Sequence, residues 1–451
     1  MPQHASRRRF LKLSSATLAA GAVLPSAGCM TAKTKPRYVL GRQRHAGIGV
    51  GGMGSADLGQ IASHPNVDVV ALCDVDLAKL EEAKKKFPEA RAYQDWRELL
   101  EAEEGAIDSV HVTVPDHMHA PIMIEALRRD LHVYGQKPLT HDVLEARRVA
   151  QAAWSAPVIT QMGIQNRAAH HYRRAFEVLR SGVIGRVSEV HVWTDRPAGW
   201  WPQDVERPEG SDPVPPELDW DKWLGTAPER PYKKGAYHAF AWRGWIDFGT
   251  GAQGDMACHL MDPALWFLEL GDPRTVRSIG PAPNGESFPA WSTVQYTFPS
   301  TRFTVPEGVR VAWYDGGKMP TEKLALFDAG DDVYKNASLF IGEEGALLVS
   351  PYDPPRLLPG RDFPETPDYE LAPINHWHQW VDACAGIGTA TASFDYAGLL
   401  TEVALLGNVA LRFPDQELRW DARRLRFPNL PEADAFLGRE YRDGWHVRGL
   451  G

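Results

Sequence analysis

The chain has 451 residues, of which 43% are hydrophobic and 24% charged, and its formal net charge is −9. This is the composition of a globular protein with room for two or three domains, and no apolar run reaches the length of a membrane span. The acidic balance, with no basic run beyond the N-terminus, argues against a nucleic-acid partner.

The N-terminus predicts export. Residues 6–12 read SRRRFLK and precede a short apolar stretch, which resembles a twin-arginine signal; a disordered basic tail is the alternative. The sequence SAGC ending at Cys29 resembles a lipoprotein cleavage box, although Ser26 stands where leucine is usual. Lipidation at Cys29 and plain cleavage nearby both stay open. We expect residues 1–36 to be signal and tether, and the mature protein to be periplasmic or anchored to the membrane by lipid.

Strands alternate with helices over residues 37–165. The predicted strands are Ala46–Val50, Val67–Cys73, Ser109–Val114, Leu131–Tyr134 and Val158–Met162. The predicted helices between them are Ser55–Ser63, Leu77–Phe87, Ala120–Arg129 and Leu144–Trp154. This alternation predicts a parallel, doubly wound sheet.

A glycine turn follows the first strand. Gly49, Gly51 and Gly54 form G-x-G-x-x-G, which lets the backbone approach a pyrophosphate at a helix N-terminus. Asp74 ends the next strand, where a carboxylate meets the adenosine ribose hydroxyls and repels a 2′-phosphate. NAD is therefore favoured over NADP, with Lys79 as the only nearby cation that would favour NADP. A glycine turn beside a solvated aspartate is the alternative.

Two later strand ends carry polar residues. GQKPLT places Lys137 at the carboxyl edge of the sheet, where ligands bind, although chemistry alone makes a solvated lysine the more ordinary interpretation. Asp116 and His117 follow another strand and are candidates for cofactor or substrate contacts. An aspartate that merely ends its strand is the alternative.

Residues 166–451 differ from the first part of the chain in composition and in the order of predicted elements. The segment 196–235 is rich in proline, glycine and tryptophan. Turns connect the predicted strands Thr293–Phe298, Val309–Tyr314 and Leu347–Ser350, so we expect a largely antiparallel second sheet. Two late helices are predicted to pack against it, Asn375–Ala385 and Tyr396–Leu411.

The stretch GTGAQGDMACHLMDPALWFL carries a candidate acid–base pair. Asp255 and His259 are four residues apart, so on a helix they share one face. Histidine is the natural base for removing a hydroxyl proton near neutral pH. The alternative is that Asp255 caps the helix, since it opens an apolar-periodic run.

Clustered tryptophans indicate a candidate sugar-binding surface. Seven of the 16 tryptophans lie between Trp193 and Trp245, and one or two of them are expected in a carbohydrate pocket, because indole faces stack on sugar C–H faces. His376 and His378 are expected to pack rather than to line that pocket.

The cysteines beyond Cys29 are odd in number and show no C-x-x-C spacing, so we predict neither a disulfide framework nor a metal site.

Together these stretches resemble the Gfo/Idh/MocA oxidoreductases, the family of glucose–fructose oxidoreductase and inositol dehydrogenase. The resemblance is carried by HAGIGVGGMG, ALCDVD, VTVPDHMHA, GQKPLT and GDMACHLMD. It implies an N-terminal Rossmann domain at 37–165 and, at 166–451, an α/β domain with an open sheet for substrate binding and dimerisation. It further implies NAD as cofactor, a sugar or sugar-like hydroxyl as substrate, and a dimer or tetramer.

The resemblance also implies site residues. Its catalytic residues match Lys137, Asp255 and His259. His259 would take the hydroxyl proton while Lys137 stabilises the developing alkoxide, and Asp255 would position the sugar or orient His259. The expected cofactor-binding residues are Gly49, Gly51, Gly52, Met53, Gly54, Asp74, Asp116, His117, Gln136 and Lys137.

The chain departs from the family at Gln136, where a glutamate is usual. The amide can still hydrogen-bond to the ribose or nicotinamide, but it stabilises a positive charge on Lys137 less than a carboxylate would. The protonation state of Lys137 therefore stays open.

Export bears on the reaction, since no NAD pool exists outside the cytoplasm. We expect an NAD-dependent oxidoreductase that acts on a sugar hydroxyl with a tightly bound nicotinamide. One alternative is a glycoside hydrolase that oxidises C3 transiently, eliminates the C1 substituent, adds water and returns the hydride. The other is an inactive sugar-binding lipoprotein, against which the joint presence of Lys137, Asp255 and His259 argues.

Overall fold

The computed structural model describes residues 34–450, so the predicted export signal and Cys29 lie outside the described residues. Residues from Thr34 onward form one unit, built on two β-sheets. Within the described part of the chain, no helix is long and apolar enough to cross a membrane.

The first sheet is parallel and has six strands in the order β3-β2-β1-β4-β5-β6. These are β1 (Gln43–Ile48), β2 (Val67–Cys73), β3 (Arg91–Tyr93), β4 (Ser109–Val112), β5 (His132–Gly135) and β6 (Thr160–Met162). The connecting helices are α1 (Met53–Ala62), α2 (Leu77–Lys86), α3 (Trp96–Ala102), α4 (His119–Arg128) and α5 (Val143–Ser155). The strand order reverses between β1 and β4, which opens a ligand crevice at their carboxyl ends. The predicted doubly wound sheet is confirmed.

The second sheet has eight strands in the order β13-β12-β11-β7-β10-β9-β8-β14. They are β7 (Val187–Trp193), β8 (Thr275–Ile279), β9 (Thr293–Phe298), β10 (Val309–Tyr314), β11 (Ala337–Gly342), β12 (Ala346–Val349), β13 (Arg356–Leu358) and β14 (Glu417–Arg419). Only β7 and β10 pair in parallel, and the other neighbours are antiparallel. The predicted, largely antiparallel sheet is confirmed.

Helices connect the two sheets. Four of them lie between β6 and β8 in the chain, namely α6 (His170–Arg180), α7 (Trp220–Leu224), α8 (Gly251–Leu260) and α9 (Asp262–Leu268). Two more follow β13, namely α10 (His376–Cys384) and α11 (Phe394–Ala410). Thirteen of the 17 residues of α11 are buried, as expected of a helix that packs on most sides.

The positions of the last two helices differ in part from prediction. Helix α11 packs against β8 of the second sheet but also against α5 and α8, so it lies between the two sheets. Helix α10 packs against α1 of the first domain instead. The C-terminal part of the chain therefore completes the packing around the nucleotide-binding sheet, and sequence order alone does not reveal this.

The cysteines of the described region are Cys73, Cys258 and Cys384, and all three are buried and free. They belong to apolar core clusters and act there as small hydrophobic side chains.

Candidate active site

The turn between β1 and α1 is shaped by its glycines. Gly49 has a φ of 80°, and a Cβ there would overlap the backbone oxygen of Thr113. A Cβ on Gly54 would overlap the backbone oxygen of Gly49. Gly52 precedes α1 with a φ of 51°, and no side chain of the described residues caps the helix. Within the described residues, no side chain therefore holds the first N–H groups of α1, of which that of Gly54 donates to the Gly51 backbone oxygen at 2.9 Å. The turn fits a pyrophosphate.

The close packing at Gly54 gives a first prediction. Gly54→Ala should force α1 away from Gly49, lowering both the melting temperature and the amount of NAD that co-purifies with the protein. Gly59→Ala is the matched control, because a Cβ at Gly59 of the same helix meets nothing within 4 Å. That substitution should stabilise the helix, by about 1 kcal/mol at most. Undiminished NAD content in Gly54→Ala would show that the turn does not hold the cofactor.

Asp74 follows β2 and contacts the same turn. Its Oδ2 accepts hydrogen bonds from the backbone N–H groups of Val50 at 2.9 Å and Gly51 at 3.2 Å. Burial raises the pKa of this carboxyl, while the backbone donors oppose that shift. The carboxyl group thus lies where the ribose of a dinucleotide at the turn would meet it.

Two further side chains flank the turn. The Lys79 side chain is so close to Gly51 that a Cβ on Gly51 would lie 2.9 Å from its Cγ. The Lys79 ammonium is 3.7 Å from the Glu82 carboxylate, so its charge is partly balanced. Met53 is the first residue of α1 and is 41% exposed, which leaves it available to a bound dinucleotide.

Lys137 follows β5, and its ammonium reaches α8. Its Nζ donates to Oδ1 of Asp255 at 2.7 Å and to the Asp255 backbone oxygen at 2.9 Å. The two side chains are only 15% and 11% exposed. The alternative of a solvated Lys137 is therefore wrong. Arg243 donates from Nε to the same carboxylate oxygen at 3.3 Å, so one carboxylate faces two cations.

The electrostatics of Asp255 follow from this arrangement. Burial alone would raise the pKa of its carboxyl, but the charges of Lys137 and Arg243 outweigh burial and lower it to about 2. The alternative that Asp255 caps its helix is wrong, because α8 begins at Gly251 and its N-cap position is Thr250. The helix begins earlier than the apolar periodicity indicated, so Asp255 lies in its middle.

His259 lies one helical turn after Asp255. Burial, and then the positive charge of Lys137, lower the pKa of its imidazole to about 3, with Asp255 opposing. The ring is therefore neutral near pH 7. Its Nδ1 is buried and has no hydrogen-bond partner among the described residues, and the Tyr172 hydroxyl donates to the His259 backbone oxygen at 3.1 Å. A neutral imidazole can take the proton of a hydroxyl that reaches its ring.

Asp116 and His117 lie in the 3₁₀ turn after β4, in different surroundings. Oδ2 of Asp116 accepts from the Thr250 hydroxyl at 2.6 Å. Burial raises the pKa of Asp116 to about 7, against that hydrogen bond and the nearby charges of Lys137 and Arg243. Asp116 is thus a neighbour of the Lys137–Asp255 pair. His117 is fully buried, with its ring nitrogens facing backbone oxygens, so its role toward a cofactor stays a prediction.

Gln136 belongs to a buried network that the sequence did not indicate. Its Nε2 donates to Oδ2 of Asp57 in α1 at 2.9 Å. The same carboxylate accepts from the Thr113 hydroxyl and from the Trp377 indole of α10, each at 2.9 Å. Burial raises the pKa of Asp57 to about 6, and the three donors oppose this shift. The amide at Gln136 therefore pairs with a carboxylate that a glutamate there would repel.

This pairing gives a second prediction. Because its pKa is raised, folded Asp57 holds a proton that unfolded Asp57 releases, so stability falls as pH rises from about 4 to about 6. Gln136→Glu should raise that pKa further and extend the loss above pH 6, because two buried carboxylates cannot both ionise cheaply. Melting temperatures measured across pH test this. Gln136→Glu combined with Asp57→Asn restores a single carboxyl and should recover part of the loss; equal pH profiles for wild type and Gln136→Glu would contradict the pairing.

The clustered tryptophans mostly build a core. Five are buried, namely Trp193, Trp201, Trp223, Trp242 and Trp245, and several of these pack with Tyr237 and Phe248. Trp200 is 50% exposed, and the Arg196 guanidinium stacks on one face of its ring. His376 is buried, and His378 meets the Ser63 hydroxyl, in line with the packing expected for both.

Sequence reasoning missed several residues of this site. Asp57, Thr250 and Arg243 stand in no recognisable motif, and tertiary packing alone brings them to Gln136, Asp116 and Asp255. The sequence did contain one indication of Asp57. Gln136 stands where the family has glutamate, and such a change from acid to amide indicates a nearby negative charge that a glutamate would repel.

Comparison with known protein families gives two matches to this chain. A model described as an oxidoreductase family with an NAD-binding Rossmann fold matches residues 44–164. A model described as the C-terminal alpha/beta domain of an oxidoreductase family matches residues 173–312. Together these segments include the glycine turn, Lys137, Asp255 and His259.

Curated relatives match part of the chain. The inositol 2-dehydrogenase of Arthrobacter sp. (strain FB24) is 31% identical over 150 residues, which is 33% of this chain and 44% of the relative. The myo-inositol 2-dehydrogenase of Thermotoga maritima is 26% identical over 178 residues, or 40% of this chain and 48% of the relative. The matches thus span less than half the length of these relatives.

A solved structure matches over most of the chain. The WlbA dehydrogenase of Bordetella pertussis, determined with NADH and UDP-GlcNAcA, superposes with a TM-score of 0.60 at 16% identity. The superposition covers 85% of this chain and 99% of that protein. The likeness at this identity is one of fold.

Proposed function

This chain belongs to the Gfo/Idh/MocA oxidoreductase family, and we propose that it transfers a hydride between a sugar-like hydroxyl and tightly bound NAD. The observation that carries the proposal is the contact of Lys137 with Asp255, one helical turn before a neutral His259 with an unpartnered ring nitrogen. The names of the inositol dehydrogenase relatives support a polyol or sugar as substrate.

The chemistry assigns one task to each side chain. Bound NAD supplies the hydride acceptor. His259 accepts the hydroxyl proton, and the ammonium of Lys137 donates to the same oxygen and stabilises its developing negative charge. Asp255 holds Lys137 in place through Oδ1 and its own backbone oxygen. The C–H electron pair leaves as hydride while the C–O bond becomes a carbonyl, so charge and electrons balance.

We further propose that the protein is exported by the twin-arginine route with NAD already bound. The support is the SRRRFLK stretch and the apolar residues that follow it. An exported enzyme must return its cofactor to the starting state, since no pool replaces it. Coupled oxidation of one sugar and reduction of another meets this need. Assembly as a dimer or tetramer, and a lipid at Cys29, belong to the same proposal and rest on the family resemblance and the SAGC stretch.

A second candidate is a redox-neutral glycoside hydrolase, and Asp116 favours it. Elimination from a C3 ketone needs a base for the C2 proton in addition to the base for the hydroxyl. Asp116 has a pKa of about 7 and neighbours Lys137, so it can exchange a proton near neutral pH. The C1 substituent then leaves, water adds to the double bond, and the returning hydride restores the C3 alcohol.

One experiment tests the shared premise of both candidates. The mature protein is dialysed at length and denatured, and the released nucleotide is identified by mass spectrometry. NAD or NADH in amounts near one per chain supports a resident cofactor, and a screen of sugar pairs and glycosides then separates exchange from hydrolysis. No nucleotide, with sugar binding intact in wild type and His259→Ala alike, would instead indicate an inactive sugar-binding protein.

A further inference from the structure

Two arginines that no motif predicted lie at the acid–base pair. Arg196 comes shortly after β7, and Arg243 lies in the 3₁₀ turn before α8. Both side chains are largely buried, 12% and 19% exposed. Arginine side chains are rarely buried unless they are paired. Two largely buried arginines in a chain of net charge −9 therefore need partners close by.

Arg196 is incompletely paired. Its Nε is buried without a hydrogen-bond partner among the described residues. Asp195 comes within 3.7 Å of that nitrogen but is also engaged by the Asn336 amide at 3.4 Å. The Arg196 guanidinium stacks on the ring of Trp200, with its Cζ 3.4 Å from the ring centroid. Stacking occupies a face of the guanidinium and leaves its edge for in-plane hydrogen bonds.

Arg243 is held in the same manner. Its Cζ lies 4.1 Å from the ring centroid of Phe240 and 4.4 Å from that of Trp242. Its Nε meets Oδ1 of Asp255 at 3.3 Å, an oxygen that Lys137 already contacts more closely. The charge of Arg243 is therefore only partly balanced.

An aromatic strip connects the two arginines; it is exposed at its two ends and buried in the middle at Trp201, which is 6% exposed. Trp200 under Arg196 is 50% exposed and Phe240 under Arg243 is 43% exposed. Trp201, the neighbour of Trp200, lies 6.3 Å from Phe240 between ring centroids. Each arginine thus stacks on an aromatic side chain that is open to solvent, beside a ring suited to the C–H face of a sugar.

The charges around the acid–base pair do not cancel. Lys137, Arg196 and Arg243 are three cations, whereas two carboxylates contact them: Asp255 contacts Lys137 and Arg243, and Asp195 lies 3.7 Å from Arg196. Arg196 acts on the base itself, since its charge, after burial and Lys137, helps to lower the pKa of His259. Asp116 has a pKa of about 7 and supplies only part of a negative charge. A bound nicotinamide in its oxidised form would add a further positive charge.

We propose that the sugar substrate carries a carboxylate, which the free guanidinium edge of Arg196 binds, with Arg243 on the other side of the aromatic strip. The proposal rests on the function proposed above and specifies its substrate class as sugar acids. A planar guanidinium matches a carboxylate in two parallel hydrogen bonds, and this pairing would balance the excess positive charge.

The test compares matched sugars on the NAD-loaded protein. The probes are D-glucuronate against D-glucose and D-galacturonate against D-galactose, each as the initial rate of nicotinamide reduction. The acids should be preferred, and Arg196→Gln should lower the acid-to-neutral ratio of these reduction rates at low sugar concentration by about tenfold or more, the usual effect of a charged hydrogen bond. Arg302→Gln, which removes an exposed arginine remote from the site, should leave that ratio unchanged.

A conservative variant and a phosphorylated sugar complete the test. Arg196→Lys keeps the positive charge but lacks the two parallel N–H donors of the guanidinium. It should therefore retain part of the preference for the sugar acid over the neutral sugar. Equal ratios in wild type and Arg196→Gln, or a preference for D-glucose 6-phosphate over D-glucuronate, would overturn the carboxylate assignment.

Failure of the proposed redox function can be distinguished from failure of the proposed carboxylate site. If no sugar reduces the nicotinamide, equilibrium dialysis with radiolabelled D-glucuronate and D-glucose still measures binding to the full chain. Tighter binding of the acid that Arg196→Gln abolishes would keep the carboxylate site while removing the redox function. Equal binding of both sugars would reject the carboxylate site whatever the fate of the redox activity.

Discussion

Replacing His259 by asparagine is expected to lower sugar oxidation by about a hundredfold to ten-thousandfold, the usual worth of a general base. The variant should retain its NAD, because His259 lies on α8 and not at the glycine turn. Steady-state rates and the nucleotide content of the same preparation measure both effects. The imidazole is already neutral near pH 7, its pKa being lowered to about 3 by burial and by Lys137, so acidification toward pH 5 should not remove this base.

His378→Asn is the matched control, because that histidine lies in α10 and meets the Ser63 hydroxyl away from Asp255. It should oxidise sugars as wild type does. A His259→Asn protein with full activity and normal NAD content would show that another group takes the proton.

Replacing Lys137 by methionine is the second large effect. The variant loses the donor that stabilises charge on the reacting oxygen, and kcat should fall by about a hundredfold to a thousandfold. It also leaves the Asp255 carboxylate with Arg243 as its remaining contact, so the pKa of Asp255 should rise and the melting temperature should fall. Rates and thermal melts over a range of pH separate the two consequences.

The sign of the pH effect follows from linkage. Ionised Asp255 contributes stability above its unfolded pKa, and this stability is lost as pH falls through the folded pKa of about 2. When Lys137 is replaced and that pKa rises, the stabilisation disappears at a higher pH than in wild type. Lys85→Met, on the exposed side of α2, is the control. Unchanged kcat in Lys137→Met would contradict the role assigned to its ammonium.

The nucleotide side of the site was largely predictable from sequence. The glycine turn is local, because a strand, three glycines and a helix stand within a dozen residues and an acid ends the next strand. The contact between Lys137 and Asp255 joins two separate stretches, but each was recognisable from its own pattern. Strand alternation sufficed for five of the six strands of the first sheet because parallel strands buried on both faces read as continuous apolar runs. The edge strand β3 was not predicted, since its three residues are exposed or half-buried.

Other features depend on contacts that no local pattern records. Strand β7 is central to the second sheet, yet Val187–Trp193 includes serine, glutamate and histidine and was not predicted. Asp57, Gln136 and Trp377 form one network from three distant parts of the chain. Arg196 and Arg243 stand in no sequence motif. Their place in the site is shown by their stacking on Trp200 and Phe240, by the contact of Arg243 with Asp255 and by the effect of the Arg196 charge on His259.

The central claim is that hydride passes between a sugar carbon and a cofactor that stays on the protein. The most direct measurement is to give the dialysed, NAD-loaded protein a sugar deuterated at its ring C–H positions, denature it, and weigh the released nucleotide by mass spectrometry. We expect deuterium in the nicotinamide of wild type and its absence in His259→Asn. With the reaction quenched within a single turnover, before hydride can return, a nucleotide that stays unlabelled while the wild-type protein consumes the sugar would contradict hydride transfer to the bound NAD.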